Sequence, residues 1–154
     1  PVCSELSKSI SQSMNEINID HSNKGTYICI EGPQFSTKAE SELYRSWGCD
    51  IIGMTNMPEA KLAREAGICY SSVSMVTDYD CWHGDHDSVT VDSIIKTMSA
   101  NKEKVQNLLL HLPKNLSSEN SCKSCANNNL ESVMTNQEYL DSTITQKLQY
   151  ILKN

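Results

Sequence analysis

Leu6, Ile10, Met14 and Ile17 recur three and four residues apart. That period lines one face of a helix, so these positions predict an amphipathic helix from Ser4 to about Glu16 with its polar face in water. A loop from Ile19 to Gly25 follows, and Tyr27–Ile30 then reads as a short strand of the kind buried on both faces of a sheet. In the tight loop Glu31–Ser36, Gly32 and Pro33 constrain the backbone and present Phe35, the chain's single phenylalanine, at a strand end. Thr37 with Glu40 is a capping box, Ala39, Leu43 and Trp47 mark one face of the helix it opens, and Gly48 ends that helix. Asp50–Thr55 predicts a second strand, in which Gly53 signals close approach of another backbone or a ligand. Pro58, Ala60, Leu62, Ala63, Ala66 and a following Gly67 predict another helix. Val73–Tyr79 then predicts a third strand. Thr90 is placed to cap a long helix whose stripe of Val91, Ile94, Ile95, Met98, Val105, Leu108, Leu109 and Leu112 runs up to Pro113.

Alternating strands and helices define an α/β class, here a layered sandwich with a central mixed sheet. Three strands make a small sheet to cover on two faces, and the chain begins at Pro1 without an initiator Met. Residues 1–113 are therefore expected to be the carboxyl-terminal half of a larger α/β domain. The texture then changes to Ser, Asn, Lys and Cys, so 114–134 is expected to be a polar loop or disordered tether. Thr135 with Glu138 offers a second capping box, and Leu140, Ile144, Leu148 and Ile151 predict a terminal amphipathic helix over 135–154.

Composition narrows the class of partner. The 13 Lys and Arg against 19 Asp and Glu leave a formal charge of -6, which argues against a nucleic-acid partner, since phosphodiester backbone needs a basic stripe. The apolar runs are far shorter than the ~20 residues that span a bilayer, so no membrane association is expected. Seven cysteines are an odd number, and Cys3, Cys29, Cys49 and Cys69 sit in or beside predicted core elements. Reduced thiols are the simpler account. Cys122-Lys-Ser-Cys125 has zinc or redox spacing, but no second pair follows it, and the expectation is no metal site.

The loops at the three strand ends carry the candidate chemistry. Phe35 and Ser36 follow the first strand, Met54 and Thr55 the second, and Asp78, Tyr79 and Asp80 the third. In an α/β sheet such ends converge, so an aromatic plate, a thioether, two hydroxyls and two carboxylates would line one cleft. That set suits a flat heteroaromatic base attached to a sugar: Phe35 can stack on the ring, Met54 can pack on the ribose, and a carboxyl group can meet a ring nitrogen that gains a proton. The plain alternative for Asp78 and Asp80 is a solvated turn. Met54 and Val91 would be core residues in most proteins. His83-Gly-Asp-His-Asp87 offers two His and two Asp within five residues, a conceivable metal site.

Glu31-Gly-Pro-x-Phe-Ser36, Ala39-Glu-Ser41, Trp47-Gly48, Gly53-Met-Thr55, Pro58-Glu59, Leu62-Ala63, Glu65-Ala-Gly-Ile-Cys-Tyr70 and Thr77-Asp-Tyr-Asp-Cys-Trp82 closely resemble the methylthioadenosine phosphorylases, the trimeric branch of the purine nucleoside phosphorylase family. The resemblance is dense from about Gly25 to Pro113, weaker over the first helix and absent from the Ser/Asn-rich tail. It implies a nucleoside phosphorylase-like fold, a homotrimer, a cytoplasmic location with the nucleus as a second compartment, and no organic cofactor. It also implies the reaction: inorganic phosphate, as co-substrate, attacks the anomeric carbon of methylthioadenosine and releases adenine and methylthioribose 1-phosphate, in purine and methionine salvage.

By the same resemblance Asp78 is the catalytic proton donor to the purine N7, and burial beside Asp80 would keep its proton on. Asp80 accepts from the 6-amino group, and Tyr79 lies between them in the base-contacting segment. Met54 packs on the ribose, Thr55 belongs to the phosphate site, and Val91, Ile94 and Ile95 form the apolar pocket around the 5'-substituent. Relatives acting on 6-oxopurines carry an acidic residue after the loop Phe and Asn at the first of the paired positions. Ser36 and Asp78 stand here instead, which favours adenine. The family uses no metal, and its counterpart of His83–Asp87 is a mobile polar loop. The family's Gly-rich phosphate loop and its Arg-His pair have no match in this sequence, and neither Arg45 nor Arg64 lies in a matching motif. The chain by itself is therefore expected to be inactive. The alternatives are a catalytically inactive fragment, a purine-binding remnant, or a related phosphorylase acting on adenosine or inosine.

Overall fold

A computed structural model describes residues 1–82, 91–116, 122, 125, 129 and 132–152 of the 154-residue chain. In order along the chain, α1 spans Ser4–Glu16, β1 Tyr27–Cys29, α2 Lys38–Ser46, β2 Ile51–Gly53, α3 Glu59–Glu65 and α4 Val91–His111. A 3₁₀ turn at Leu112–Asn115 continues from α4. A second at Gln137–Tyr139 precedes α5, Ser142–Lys147. β1 and β2 pair in parallel with Tyr27 opposite Ile51 and Cys29 opposite Gly53. This is the right relation for two strands joined through a helix.

Several local rules operate as the sequence pattern predicts. α1 has the expected bounds. At α2, the Thr37 side chain accepts from the Glu40 N–H while the Glu40 carboxylate accepts from the Thr37 N–H at 2.7 Å, which also holds that carboxyl below its ordinary range. Gly48 ends the helix with φ +78°, a conformation that suits a residue without a Cβ. Gly53 does mark a close approach, but to a side chain: a Cβ there would lie only 2.8 Å from Cζ of Tyr27.

Other expectations are corrected. Val73–Tyr79 forms no strand, and the sheet among the described residues has two strands. Val73, Met75 and Val76 are exposed. An apolar run becomes a strand only where a neighbour offers a hydrogen-bonding edge; here a side chain meets the run instead, with Asn101 Nδ2 donating to the Val76 carbonyl at 2.9 Å. The apolar face assigned to α2 is turned to solvent: Leu43 and Trp47 are exposed, whereas Ser41 is buried. Along α4, among the described residues of the stripe, only Leu108 is fully enclosed, while Ile95, Met98 and Leu109 are exposed. The terminal helix is a single short piece that begins after Asp141, whose side chain accepts from the Thr143 N–H at 2.7 Å, and not at Thr135. The expected Thr90 cap and His83–Asp87 lie outside the described residues.

α1 does not leave all its polar residues in water. Ser13 is wholly buried beside Met14; its hydroxyl donates to the Ser9 carbonyl at 2.8 Å and accepts from Asn115 Nδ2 at 2.9 Å. Glu16 completes this junction between α1, the end of α4 and the 3₁₀ turn. Its carboxylate accepts from Asn115 at 2.8 Å, Gln12 at 2.9 Å and His111 Nε2 at 2.6 Å. Those donors, Asn115 foremost, hold the Glu16 carboxyl down at about 2. A carboxyl depressed in the folded state stabilises the fold above its unfolded value and loses that contribution as pH falls through the folded one. The junction should therefore weaken between about 4.5 and about 2. Thermal midpoints measured across that window should fall for the native chain and vary less for Glu16→Gln; parallel curves for the two would refute the assignment.

Candidate active site

The capping box at Thr37 starts α2 immediately after the loop that carries Phe35 and Ser36, and the buried face of α2 is polar. Ser41, 1% exposed, donates a short hydrogen bond from Oγ to Asp80 Oδ2. The other carboxylate oxygen of Asp80 accepts from the Cys81 N–H at 2.8 Å. Cys81 Sγ lies 3.4 Å from Ser41 Oγ and donates to the Ser36 carbonyl at 3.7 Å. One turn along α2, the Arg45 guanidinium lies over the Trp82 ring, 3.5 Å from its centroid, a cation–π contact. Trp82 in turn meets Tyr79 edge to face at 6.3 Å. Thus the segment following Asp78 is lashed to α2 and, through Cys81, to the Phe35 loop.

The two carboxylates have different surroundings. Asp80 is half-buried and fixed. Asp78 is exposed and accepts from the Thr77 hydroxyl at 2.6 Å, so the expected burial of Asp78 beside Asp80 is not supplied by this chain. Phe35 is 86% exposed and Tyr79 61%. Ser36 Oγ is buried and has no hydrogen-bond partner among the described residues. Such an unpaired hydroxyl costs roughly 1–3 kcal/mol unless something binds it.

Met54, at the end of β2, reaches the loop after β1. A Cβ on Gly32, whose φ is +70°, would sit 2.7 Å from Met54 Sδ, so the missing side chain at Gly32 is what lets the two strand ends meet. Thr55 follows in the same loop and is exposed. Val91 opens α4, and its side chain lies outside the described set. Ile94 is half-buried and Ile95 exposed on the first turns of that helix, which the Asn101 bond to Val76 ties to the segment leading to Asp78. A separate groove, bordered by Ile17, Asn18, Lys104, Asn107 and His111, lies between α1 and α4 and includes none of these residues. Sequence reasoning gave no role to Ser41 or Arg45. The available signal was a Ser on a helix whose apolar residues already defined another face.

A family model for the phosphorylase superfamily matches residues 1–113. The chain belongs to that superfamily. It is 46% identical over 152 residues to the S-methyl-5'-thioadenosine phosphorylase of Koribacter versatilis, covering 99% of this chain and 52% of the relative. Its structure matches a methylthioadenosine phosphorylase sourced from an antarctic soil metagenomic library with a TM-score of 0.86 and 38% identity, over 99% of this chain and 54% of that one. The methylthioadenosine phosphorylase from Schistosoma mansoni in complex with adenine matches with a TM-score of 0.75 and 29% identity, over 91% of this chain and 55% of that one. The α/β architecture is therefore the nucleoside phosphorylase fold, and the chain spans about half the length of the curated relatives it matches.

Proposed function

We propose that this chain carries the base-recognising part of an enzyme that splits methylthioadenosine with inorganic phosphate into adenine and methylthioribose 1-phosphate. The observation that carries the reading is the Asp80 carboxylate, held on α2 by Ser41 and by its neighbouring N–H, together with a buried Ser36 hydroxyl that has no partner among the described residues. Each carboxylate oxygen keeps a lone pair after those bonds, so Asp80 stays an acceptor and matches an amino group better than a carbonyl. Phe35 supplies a face for the purine ring. Asp78 meets N7 and gives it a proton as the glycosidic bond breaks. The bound purine and the covering part of the fold supply the desolvation that keeps its proton on until then.

Met54 contacts the ribose, Thr55 contributes to the phosphate site, and Val91, Ile94 and Ile95 surround the methylthio group, where an apolar wall leaves a hydroxyl unsatisfied. Phosphate is a co-substrate and no organic cofactor takes part. The exposed Leu43, Trp47, Leu109 and Leu110 support a homotrimer in which other parts of the fold and neighbouring subunits cover them. We place this reaction in purine and methionine salvage.

The test compares rates on methylthioadenosine, adenosine and inosine in an enzyme of the relatives' full length that carries these residues. Methylthioadenosine should be the best substrate, and inosine as the best would sink the assignment of Asp78 and Asp80. Ser41→Ala should narrow the preference for the 6-amino base by about 10-fold, on the scale of one hydrogen bond to a charged group. The same exposed apolar residues favour a second reading, a purine-binding chain without turnover of its own. Adenine binding by the isolated chain with no phosphorolysis would support it.

A further inference from the structure

Four of the seven cysteines converge in space. Cys3 is the N-cap of α1, Cys69 follows the turn that ends α3, and Cys122 and Cys125 belong to the polar tract after α4. Their sulfur atoms all lie within 4.8 Å of one another. Cys3 and Cys125 are each 3% exposed, Cys69 and Cys122 are half-buried, and none of the seven cysteines is in a disulfide. A tetrahedral zinc with Zn–S bonds of about 2.3 Å needs sulfurs about 3.8 Å apart. The cluster is therefore no more than about 1 Å from ligand spacing, a distance that side-chain rotation can close.

The surroundings fit a thiolate cluster. The Cys125 N–H donates to the Cys122 carbonyl at 2.8 Å, which holds these two cysteines together. This is the C-x-x-C arrangement that presents two sulfurs to one ion. The second pair comes from opposite ends of the chain's first 69 residues and is joined by the Cys3 N–H, which donates to the Tyr70 carbonyl at 2.7 Å. Four thiolates around a divalent ion leave two excess negative charges. Arg64 Nη1 donates to Cys125 Sγ at 3.6 Å, and the Leu6 N–H at the start of α1 donates to Cys3 Sγ at 3.5 Å. Both place positive potential where that excess would sit. A concavity bordered by Pro1, Met57, Lys61 and Arg64 gives access to Cys3 and Cys125.

We propose that Cys3, Cys69, Cys122 and Cys125 form a structural zinc site that fastens the Ser/Asn-rich tract to the body of the fold at α1 and α3. All four positions around the ion are filled by protein sulfur, so the site is closed to substrate and serves stability. On binding, each thiol gives its proton to solvent and its sulfur lone pair to the ion. Soft thiolate donors in a tetrahedral set select zinc over hard cations. This site does not depend on the proposed phosphorolysis, and its test reads metal, not activity.

The chain purified under reductant should hold one zinc per molecule. Replacing that zinc with cobalt(II) should give the visible bands of a tetrahedral thiolate complex. Cys122→Ser with Cys125→Ser should abolish both signals, whereas Cys49→Ser with Cys81→Ser should keep them. A strong chelator should lower the thermal midpoint of the native chain and leave that of the first double variant unmoved. The proposal is overturned if the native chain takes up neither zinc nor cobalt in stoichiometric amount. It is equally overturned if the first double variant retains the metal, or if alkylation without reductant labels fewer than all seven cysteines in metal-free protein, since disulfides would then explain the cluster.

Discussion

In an enzyme of the relatives' full length that carries these residues, Asp78→Ala should slow adenine release from methylthioadenosine by about 100-fold, which is the lower range for loss of a general acid and equals about 2.7 kcal/mol of transition-state stabilisation. The expectation rests on the contrast between the paired carboxylates. Asp80 is occupied by Ser41 and the Cys81 N–H, while Asp78 is exposed and accepts from the Thr77 hydroxyl. It is therefore the member of the pair able to exchange a proton with a ligand. The loss should appear in kcat measured under single-turnover conditions, with a smaller change in substrate affinity. Asp78→Asn can still donate a hydrogen bond but cannot transfer a proton, so it should fall between the native enzyme and the alanine variant and should shift preference toward inosine. Equal losses for Asn and Ala, seen only in affinity, would show that Asp78 binds and does not catalyse.

Leu108→Ala should destabilise the fold by about 2–5 kcal/mol, the range for truncating a leucine in a packed interior. Leu108 is 2% exposed and is the largest fully buried side chain among the described residues. It lies on α4, the helix that packs against α1 and the 3₁₀ turn. Its neighbours Leu109 and Leu110 are exposed, and alanine at Leu110 should cost within about 0.5 kcal/mol in the isolated chain. Denaturant midpoints for the two variants provide the comparison. A similar loss at both positions would mean that α4 is covered on both faces in solution.

Elements governed by neighbours in sequence were legible. The bounds of α1, the reciprocal cap at Thr37 and Glu40, and the stop at Gly48 each depend on groups within about four residues of one another, so residue types and spacing suffice. The third strand was not legible because strand formation depends on an edge from elsewhere, and Val73–Tyr79 has none here. The face of α2 was misjudged for a related reason. Leu43 and Trp47 look like core by pattern, but what α2 meets inside this chain is Asp80 and Trp82, and it turns Ser41 and Arg45 toward them.

The candidate site divides along the same line. Which residues stand at the strand ends, and their likeness to a family, can be read from sequence, including the paired Asp78 and Asp80. That one carboxylate is pinned on a helix while the other is exposed depends on contacts spanning 39 residues. The cysteines make the point most sharply. By spacing, Cys122 and Cys125 were a lone pair without partners, because the residues that complete the cluster are Cys3 and Cys69. The sequence by itself determined the first helix, the cap and stop of α2 and the chemical inventory, since these follow from residue types, short-range sterics, capping and periodicity, while its matched motifs carried the likeness to a family. Only the tertiary structure decided which polar groups are matched, which apolar faces stay uncovered and which four sulfurs meet, because each depends on distances between residues that the chain order keeps far apart.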